Sequence, residues 1–208
     1  HTYTVIDALW DTIYFIDSQE NKKSIPIEQI ERIHLFGEID LNTKLLNYIS
    51  RYGVLINVYN YYGFYSGTYY PRKKNVSGLL LVKQGLAYSD NVKRQELAKA
   101  FIDSAFHHIL RNLRRHNKVP KILIENIEKE RVLVNNSMTI EELMGAEGRG
   151  RKSYYEALNY FLKEDFIFNK REKRPPKDPI NALISFGNSM MYTTVLGEIY
   201  KTQLNPTI

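Results

Sequence analysis

Near residue 85 the hydrophobic period of this chain changes, and that change limits the fold more than any single motif does. Up to about Lys83 the sequence reads as short runs rich in Tyr, Ile and Val, broken by turns. Those residue types suit a pleated, half-buried surface. Candidate strands are residues 3–6, 12–17, 31–35, 54–60 and 64–70. Between the third and fourth, Leu45, Leu46 and Ile49 fall at helical spacing, with Asn42 placed to cap the start and Gly53 to stop the end. Asn60, Tyr61, Tyr62 and Gly63 separate two strand-like runs, which predicts a hairpin connection with Gly63 at positive φ. From about Tyr88 the period becomes 3.6, and Ile102, Phe106, Ile109 and Leu113 share one helix face. Pro120 is placed to open another helix, and Thr139 with Glu142 has capping-box spacing at the start of the next. A longer helix is expected over residues 147–162. Asp178 before Pro179 then caps an apolar helix running through Ala182, Phe186, Met190 and Tyr200. The fold class that follows is α+β. Residues 1–85 form an N-terminal β-domain with one inserted helix, and residues 86–208 an all-α C-terminal domain.

The net charge of +6 is unevenly distributed. Lys plus Arg against Asp plus Glu stand at 9 against 8 for residues 1–87 and at 20 against 15 for residues 88–208. The excess gathers in three runs. The first is Arg111, Arg114, Arg115, Lys118 and Lys121, and the second Arg149, Arg151 and Lys152. The third is Lys170, Arg171, Lys173, Arg174 and Lys177. One such run is an ordinary solvated face, but three point to a polyanionic partner. With no cysteine, disulfides, thiolate metal sites and cysteine nucleophiles are excluded, so any catalytic metal must sit on oxygen and imidazole. No apolar stretch approaches the roughly 20 residues that span a bilayer, and the N-terminus lacks a signal peptide's apolar core. A soluble, cytoplasmic protein is expected. His1 stands where Met would begin a natural chain, and reads as a tag remnant or trimmed start.

Chemistry is most concentrated in Met144-Gly145-Ala146-Glu147-Gly148-Arg149-Gly150-Arg151, one carboxylate among three glycines near the expected start of a helix. Glycines there permit close approach by a backbone, a phosphate or a metal, and a helix start adds donors for an anion. Glu147 and Arg151 are i and i+4, with Tyr154 and Tyr155 further along the same face. An ordinary surface ion pair has the same spacing, so the pattern alone leaves both readings open. His107 and His108 are adjacent on a helix and point about 100° apart, so at most one of them faces any given site. There is no zinc-protease motif, P-loop or nucleophile elbow. The hairpin is crowded with Tyr59, Tyr61, Tyr62, Phe64, Tyr65, Tyr69 and Tyr70. Alternation sends about half of these inward, leaving the rest for a dimer surface or for stacking on bases.

Four stretches, in this order, resemble the CRISPR-associated endonuclease and integrase of spacer acquisition, the Cas-one family. They are Phe36-Gly37-Glu38 with Asn42-Thr43-Lys44-Leu45-Leu46; Asn60-Tyr61-Tyr62-Gly63-Phe64-Tyr65-Ser66-Gly67; Gly145-Ala146-Glu147-Gly148; and Arg174-Pro175-Pro176-Lys177-Asp178-Pro179-Ile180-Asn181-Ala182-Leu183. The resemblance implies a β-sandwich-like N-terminal domain that helps form a homodimer and a helical domain that carries the nuclease site. It implies pairing with a small ferredoxin-like partner, Cas-two, and insertion of short double-stranded DNA into a CRISPR array for antiviral defence. By the same resemblance Glu147 is a catalytic metal ligand for Mg²⁺ or Mn²⁺, while Arg151, Lys152, Lys173, Arg174 and Lys177 bind DNA. The ion would polarise the phosphodiester for attack by a 3′-hydroxyl or by water. Two further ligands, a His in a Gly-x-x-His element and an Asp, are expected beyond Asn205-Pro206-Thr207-Ile208, so the chain as given is expected to be inactive. Gly150 also departs from the family pattern, in which a small residue such as alanine is common. The alternative is a non-catalytic nucleic-acid-binding dimerisation module.

Overall fold

The computed structural model describes residues 3–9, 11–72, 76–163, 166, 168–172 and 175–208. The architecture is α+β, and the chain divides into two compact units. One comprises His1–Gly78 with Phe186–Thr207, the other Leu79–Ser185 with Ile208.

The first unit begins with β1 (Tyr3–Leu9), β2 (Thr12–Asp17) and β3 (Lys22–Pro26), followed by β4 (Arg32–Phe36) and β5 (Asp40–Leu41). Helix α1 (Thr43–Tyr52) leads into β6 (Leu55–Tyr59) and β7 (Tyr65–Tyr69). The strands form two sheets, ordered β3-β2-β1-β5 and β4-β6-β7. β4 and β6 run parallel, which requires a crossover, and α1 lies within it. That helix forms as its sequence suggests. The Asn42 side chain accepts from the Leu45 amide at 2.8 Å, and Gly53 ends the helix in the left-handed region at φ 70°. Leu45 and Ile49 point into a core shared with Ile6, Ala8 and Ile13 of one sheet and Ile33, Leu35 and Ile56 of the other. Gly63 adopts φ 76° in the expected hairpin turn. The strands β3 and β5 went unforeseen. β3 is a polar edge strand carrying two exposed lysines, a composition that protects an edge and erases the apolar alternation by which strands are read.

The other face of the β4-β6-β7 sheet is covered by the C-terminal part of α6 (Pro179–Tyr200). Tyr59, buried on β6, shares a 2.8 Å hydrogen bond with Thr193 and stacks on Phe36 at 4.3 Å. A Cβ on Gly197 would sit 3.3 Å from both Leu55 and Arg32, so the helix backbone lies close on the sheet. Arg32 donates to Glu198 at 2.8 Å and to Glu31 at 2.9 Å, and Lys201 bridges the same two carboxylates. The compact units differ from a division at residue 85, because residues 186–207 group with the strands, with Thr193 and Gly197 buried against this sheet.

The second unit contains α2 (Gly78–Ser89), α3 (Asn91–Leu113), α4 (Lys121–Asn136) and α5 (Ile140–Leu158). α2 starts before the expected change of period, since four consecutive apolar residues, Gly78 being followed by Leu79, Leu80, Leu81 and Val82, have no period to read. Pro120 proves to be the capping residue of α4, with its first helical position at Lys121. Thr139 caps α5 as expected, its hydroxyl accepting from the Glu142 amide. The core gathers Phe106, Leu110 and Leu113 of α3, Leu123, Ile127 and Val134 of α4, and Leu143, Ala146 and Ala157 of α5. Arg131 clamps Asp103 across α4 and α3 at 2.6 and 2.9 Å.

The Glu31 carboxyl is pulled down from 4.5 to about 2, chiefly by the hydrogen bond from Lys201 and then by that from Arg32. A depressed carboxyl contributes stability that is present above its unfolded value and lost as pH falls toward its folded one. Glu31→Gln is therefore expected to be less stable than the parent at pH 7. The difference should close between about pH 4.5 and pH 2; a gap in denaturation midpoint that persists at pH 2 would contradict this assignment.

Candidate nucleic-acid interface

The three glycines around Glu147 do not mark a helix start. α5 is continuous from Ile140 to Leu158, and Glu147 lies about two turns in, where backbone amides are engaged by the helix itself. The expected anion-binding helix end is therefore absent at Glu147. Each mid-helix glycine disfavours the helix by about 1 kcal/mol, which is why the sequence reads as a break. The buried stripe of Leu143, Ala146, Gly150 and Ala157 carries the helix through.

The glycines differ in role. A Cβ on Gly150 would meet two ring carbons of Phe106 at 2.4 and 2.5 Å, and Phe106 is 1% exposed, so its ring cannot swing away into solvent. Nothing lies within 4 Å of the corresponding position on Gly148, while Gly145 faces only the flexible end of Arg149. Gly150 thus lets α3 lie against the α5 backbone. Gly148 opens onto a cleft.

That cleft, of about 440 Å³, is bounded on α5 by Gly148, Arg151, Lys152, Tyr155, Glu156 and Asn159, a stripe at helical spacing. Its other wall is the segment 168–171, containing Lys170 and Arg171. Among the described residues, four cations against one carboxylate line it. The wall is held rigidly. Asn159 grips Phe168 from both sides, donating to its carbonyl at 2.7 Å and accepting from its amide at 3.1 Å. Asn181, fully buried at the start of α6, donates to the Lys170 carbonyl and accepts from the Glu172 amide, while Asp178 accepts from the Asn181 amide at 2.8 Å. Arg171 donates to Asn181 at 2.8 Å and to Ser185 at 2.9 Å, so its guanidinium is committed to structure.

The expected site residues separate accordingly. Glu147, half-buried, pairs with Arg151 at 2.8 Å beside the cleft. Lys152 is exposed along the cleft. Lys177 and Lys170, both largely exposed, approach the Glu172 carboxylate at 3.6 and 3.4 Å from either side. Lys173 and Arg174 lie outside the described residues. Arg149, counted in the second basic run, is spent on Glu130 through two hydrogen bonds of 2.8 and 2.9 Å. His107 and His108 are both exposed, contacting each other edge to face. Among the described residues no three His, Cys, Asp or Glu side chains are grouped to hold a metal ion, so these residues by themselves do not fit one. No described helix is long and apolar enough to cross a membrane. The cleft wall at 168–171 and the Asn159 and Asn181 grips were missed from sequence. Asparagines that bond a distant backbone leave no periodic signal.

The sequence profile of the family described as CRISPR associated protein Cas1 matches residues 3–208. The chain belongs to the Cas1 family. It is 68% identical over 201 residues to a CRISPR-associated endonuclease Cas1 of Clostridium perfringens, a match covering 95% of this chain and 61% of that protein. It is 54% identical over 198 residues to a Cas1 endonuclease of Thermodesulfovibrio yellowstonii, with the same coverage. The solved structure of a Cas1 protein from Thermotoga maritima superposes with a TM-score of 0.85 at 34% identity, covering 98% of this chain and 64% of that one. The chain thus spans about three fifths of the length of the curated relatives it matches.

Replacing Gly150 by Ala tests the packing that orients this Cas1 helix. The gain in helix propensity, about 1 kcal/mol, opposes an overpacking cost of about 1–3 kcal/mol. Because the Phe106 ring is enclosed, a net loss of stability is expected. Adding Phe106→Leu should make the double variant more stable than the sum of the two single losses implies, with a coupling of roughly 1 kcal/mol in chemical denaturation. Strict additivity would mean that the packing of Phe106 on Gly150 does not set the helix position.

Proposed function

We propose that these 208 residues are the dimerising and DNA-holding part of a metal-dependent CRISPR endonuclease and integrase that acquires new spacers. The observation that carries the reading is the rigid cationic cleft beside Glu147, lined by Arg151, Lys152 and Lys170 with Lys177 at its Glu172 edge. A phosphate backbone lying there would take charge-assisted contacts from Lys152 and Lys170, and Arg151 would exchange its Glu147 partner for phosphate. Tyr155 supplies an aromatic wall, packed against Phe168 at 5.6 Å. Because those contacts are ionic, affinity should fall steeply with salt.

Dimerisation belongs to the β-domain in this reading. Of the hairpin aromatics, Tyr59 is buried, whereas Tyr61 and Tyr62 are 89% and 78% exposed at the turn and available to a partner surface. A homodimer, a Cas-two partner and the double-stranded spacer precursor with its CRISPR array are proposed for the whole protein, with membership of the family as their support. Mg²⁺ or Mn²⁺ is the cofactor proposed for the whole enzyme, with Glu147 as the one carboxylate ligand these residues supply. A second reading, binding without chemistry, is favoured for these residues taken alone by the Glu147–Arg151 pair and by the lack of a metal-holding group among the described residues.

Titration of a labelled duplex by fluorescence anisotropy checks the cleft. Lys152→Ala with Lys170→Ala is expected to weaken binding and to lower the log–log salt slope by about 0.9 for each phosphate that is no longer neutralised. Glu147→Ala should leave duplex binding at least as strong and should not change Mn²⁺-dependent cleavage, which is expected to be negligible already. Robust Mn²⁺-dependent cleavage by this chain that disappears with Glu147→Ala would replace the binding-only reading with a catalytic one. Unchanged affinity and slope in the double lysine variant would remove the cleft from the DNA path.

A further inference from the structure

The first basic run, Arg111 to Lys121, takes no part in the cleft. It occupies the end of α3, the turn after it and the start of α4. Between Asp103 and Glu125 the sequence contains no acidic residue. Asp103 is taken by Arg131 and Glu128 by Arg114, the latter at 2.5 Å. Arg111, Arg115, Lys118 and Lys121 are exposed and have no carboxylate partner among the described residues. Four neighbouring like charges repel one another, and counterions or a bound polyanion relieve that repulsion.

The turn that displays them is firmly seated. Leu113 and Val119, on either side of it, are buried in the helical core. His116 stacks on Phe161 at 4.3 Å with the rings 11° from parallel. Backbone bonds from Arg115 to Asn112, His116 to Leu113 and Val119 to His116 close it. A backbone already ordered in this way loses little further entropy when the cations are engaged.

Its position separates it from the cleft. At 100° per residue, the α5 stripe lining the cleft faces roughly opposite Gly150, where Phe106 of α3 packs. The run begins beyond Phe106 on that same α3, and none of its residues lines the cleft.

We infer that the α3–α4 turn is a second phosphate-backbone contact for duplex DNA, made by Arg111, Arg115, Lys118 and Lys121 independently of the cleft. It rests on the proposal that this chain binds DNA, and adds a surface that the cleft cannot supply. The one ring within the turn, that of His116, is engaged by Phe161, so the turn reads charge and spacing, not bases.

The test compares the parent chain, the cleft variant (Lys152→Ala with Lys170→Ala) and a turn variant. The turn variant carries Arg111→Ser, Arg115→Ser, Lys118→Ser and Lys121→Ser. Each is titrated with a labelled 20-base-pair duplex, roughly two helical turns, across a range of salt. The turn variant should lower the salt slope by about 2–3.6, at up to about 0.9 per phosphate, and should weaken binding severalfold at moderate salt. Combining it with the cleft variant should multiply the two effects. All four side chains are exposed, so its thermal midpoint should match the parent's. Lys118→Glu alone should weaken binding in the same direction if the fourfold variant is poorly folded. An unchanged salt slope in a folded turn variant overturns the inference, as does a weakening that vanishes once the cleft lysines are gone. Weaker binding by the turn variant with none by the cleft variant would uphold the turn and refute the cleft.

Discussion

The approach of Phe106 to the bare backbone of α5 at Gly150 is the contact on which the helical unit's surface chemistry depends. A helix can turn about its axis by a third of a turn and still bury some apolar side chains. With a buried ring 2.4 Å from where a Cβ would stand, only one rotation leaves both the ring enclosed and Ala146 and Ala157 in the core. That rotation directs Gly148, Arg151, Lys152, Tyr155 and Asn159 to the opposite side, where they form one wall of a cleft. Gly150 is thus the glycine of α5 whose missing side chain is used by the packing. Its neighbour Gly148 has open space around it and contributes access instead.

The second wall follows from polar bonds more than from apolar burial. Segment 168–172 has no helix or strand to satisfy its backbone, and buried backbone groups without partners are costly. Asn159 and Asn181 answer that need from two different helices, each offering an acceptor and a donor to the chain passing between them. Arg171 completes the lock by reaching Asn181 and Ser185. The Asp178-Pro179-Ile180-Asn181 stretch is therefore a folding device. It caps a helix, buries an amide and fixes the loop that carries Lys170.

What could be read from sequence divides along the same line. Asn42, Gly53, Gly63, Thr139 and Asp178 act within a few residues of themselves, so their caps and turns were legible, and the strand at residues 12–17 was found with its observed ends. The α+β class followed from the change in hydrophobic period. Glycine at three positions within α5 obscured a helix that tertiary packing sustains, which misplaced Glu147 at a helix start. Long-range features were hidden. The docking of residues 186–207 on the β4-β6-β7 sheet depends on Tyr59 meeting Thr193 and Arg32 meeting Glu198, pairs separated by well over a hundred positions. Charge counting likewise overstated the free cations, because Arg149 and Arg171 are consumed by fixed bonds.

The pairing of Glu147 with Arg151 gives the site its present electrostatic balance. A half-exposed i,i+4 ion pair contributes little to stability, typically about 0.3–0.5 kcal/mol. Its weakness is informative. A strong buried pair would hold the carboxylate against any competitor, whereas this one can be exchanged for a denser charge at small cost. Removing Arg151 from Glu147 would also free a guanidinium on the cleft wall, so occupation of the carboxylate by another cation and capture of a phosphate by Arg151 would favour each other. Coupling of that kind needs no movement of α5 itself, only the rotation of one side chain on a helix whose orientation Phe106 and Gly150 have already set.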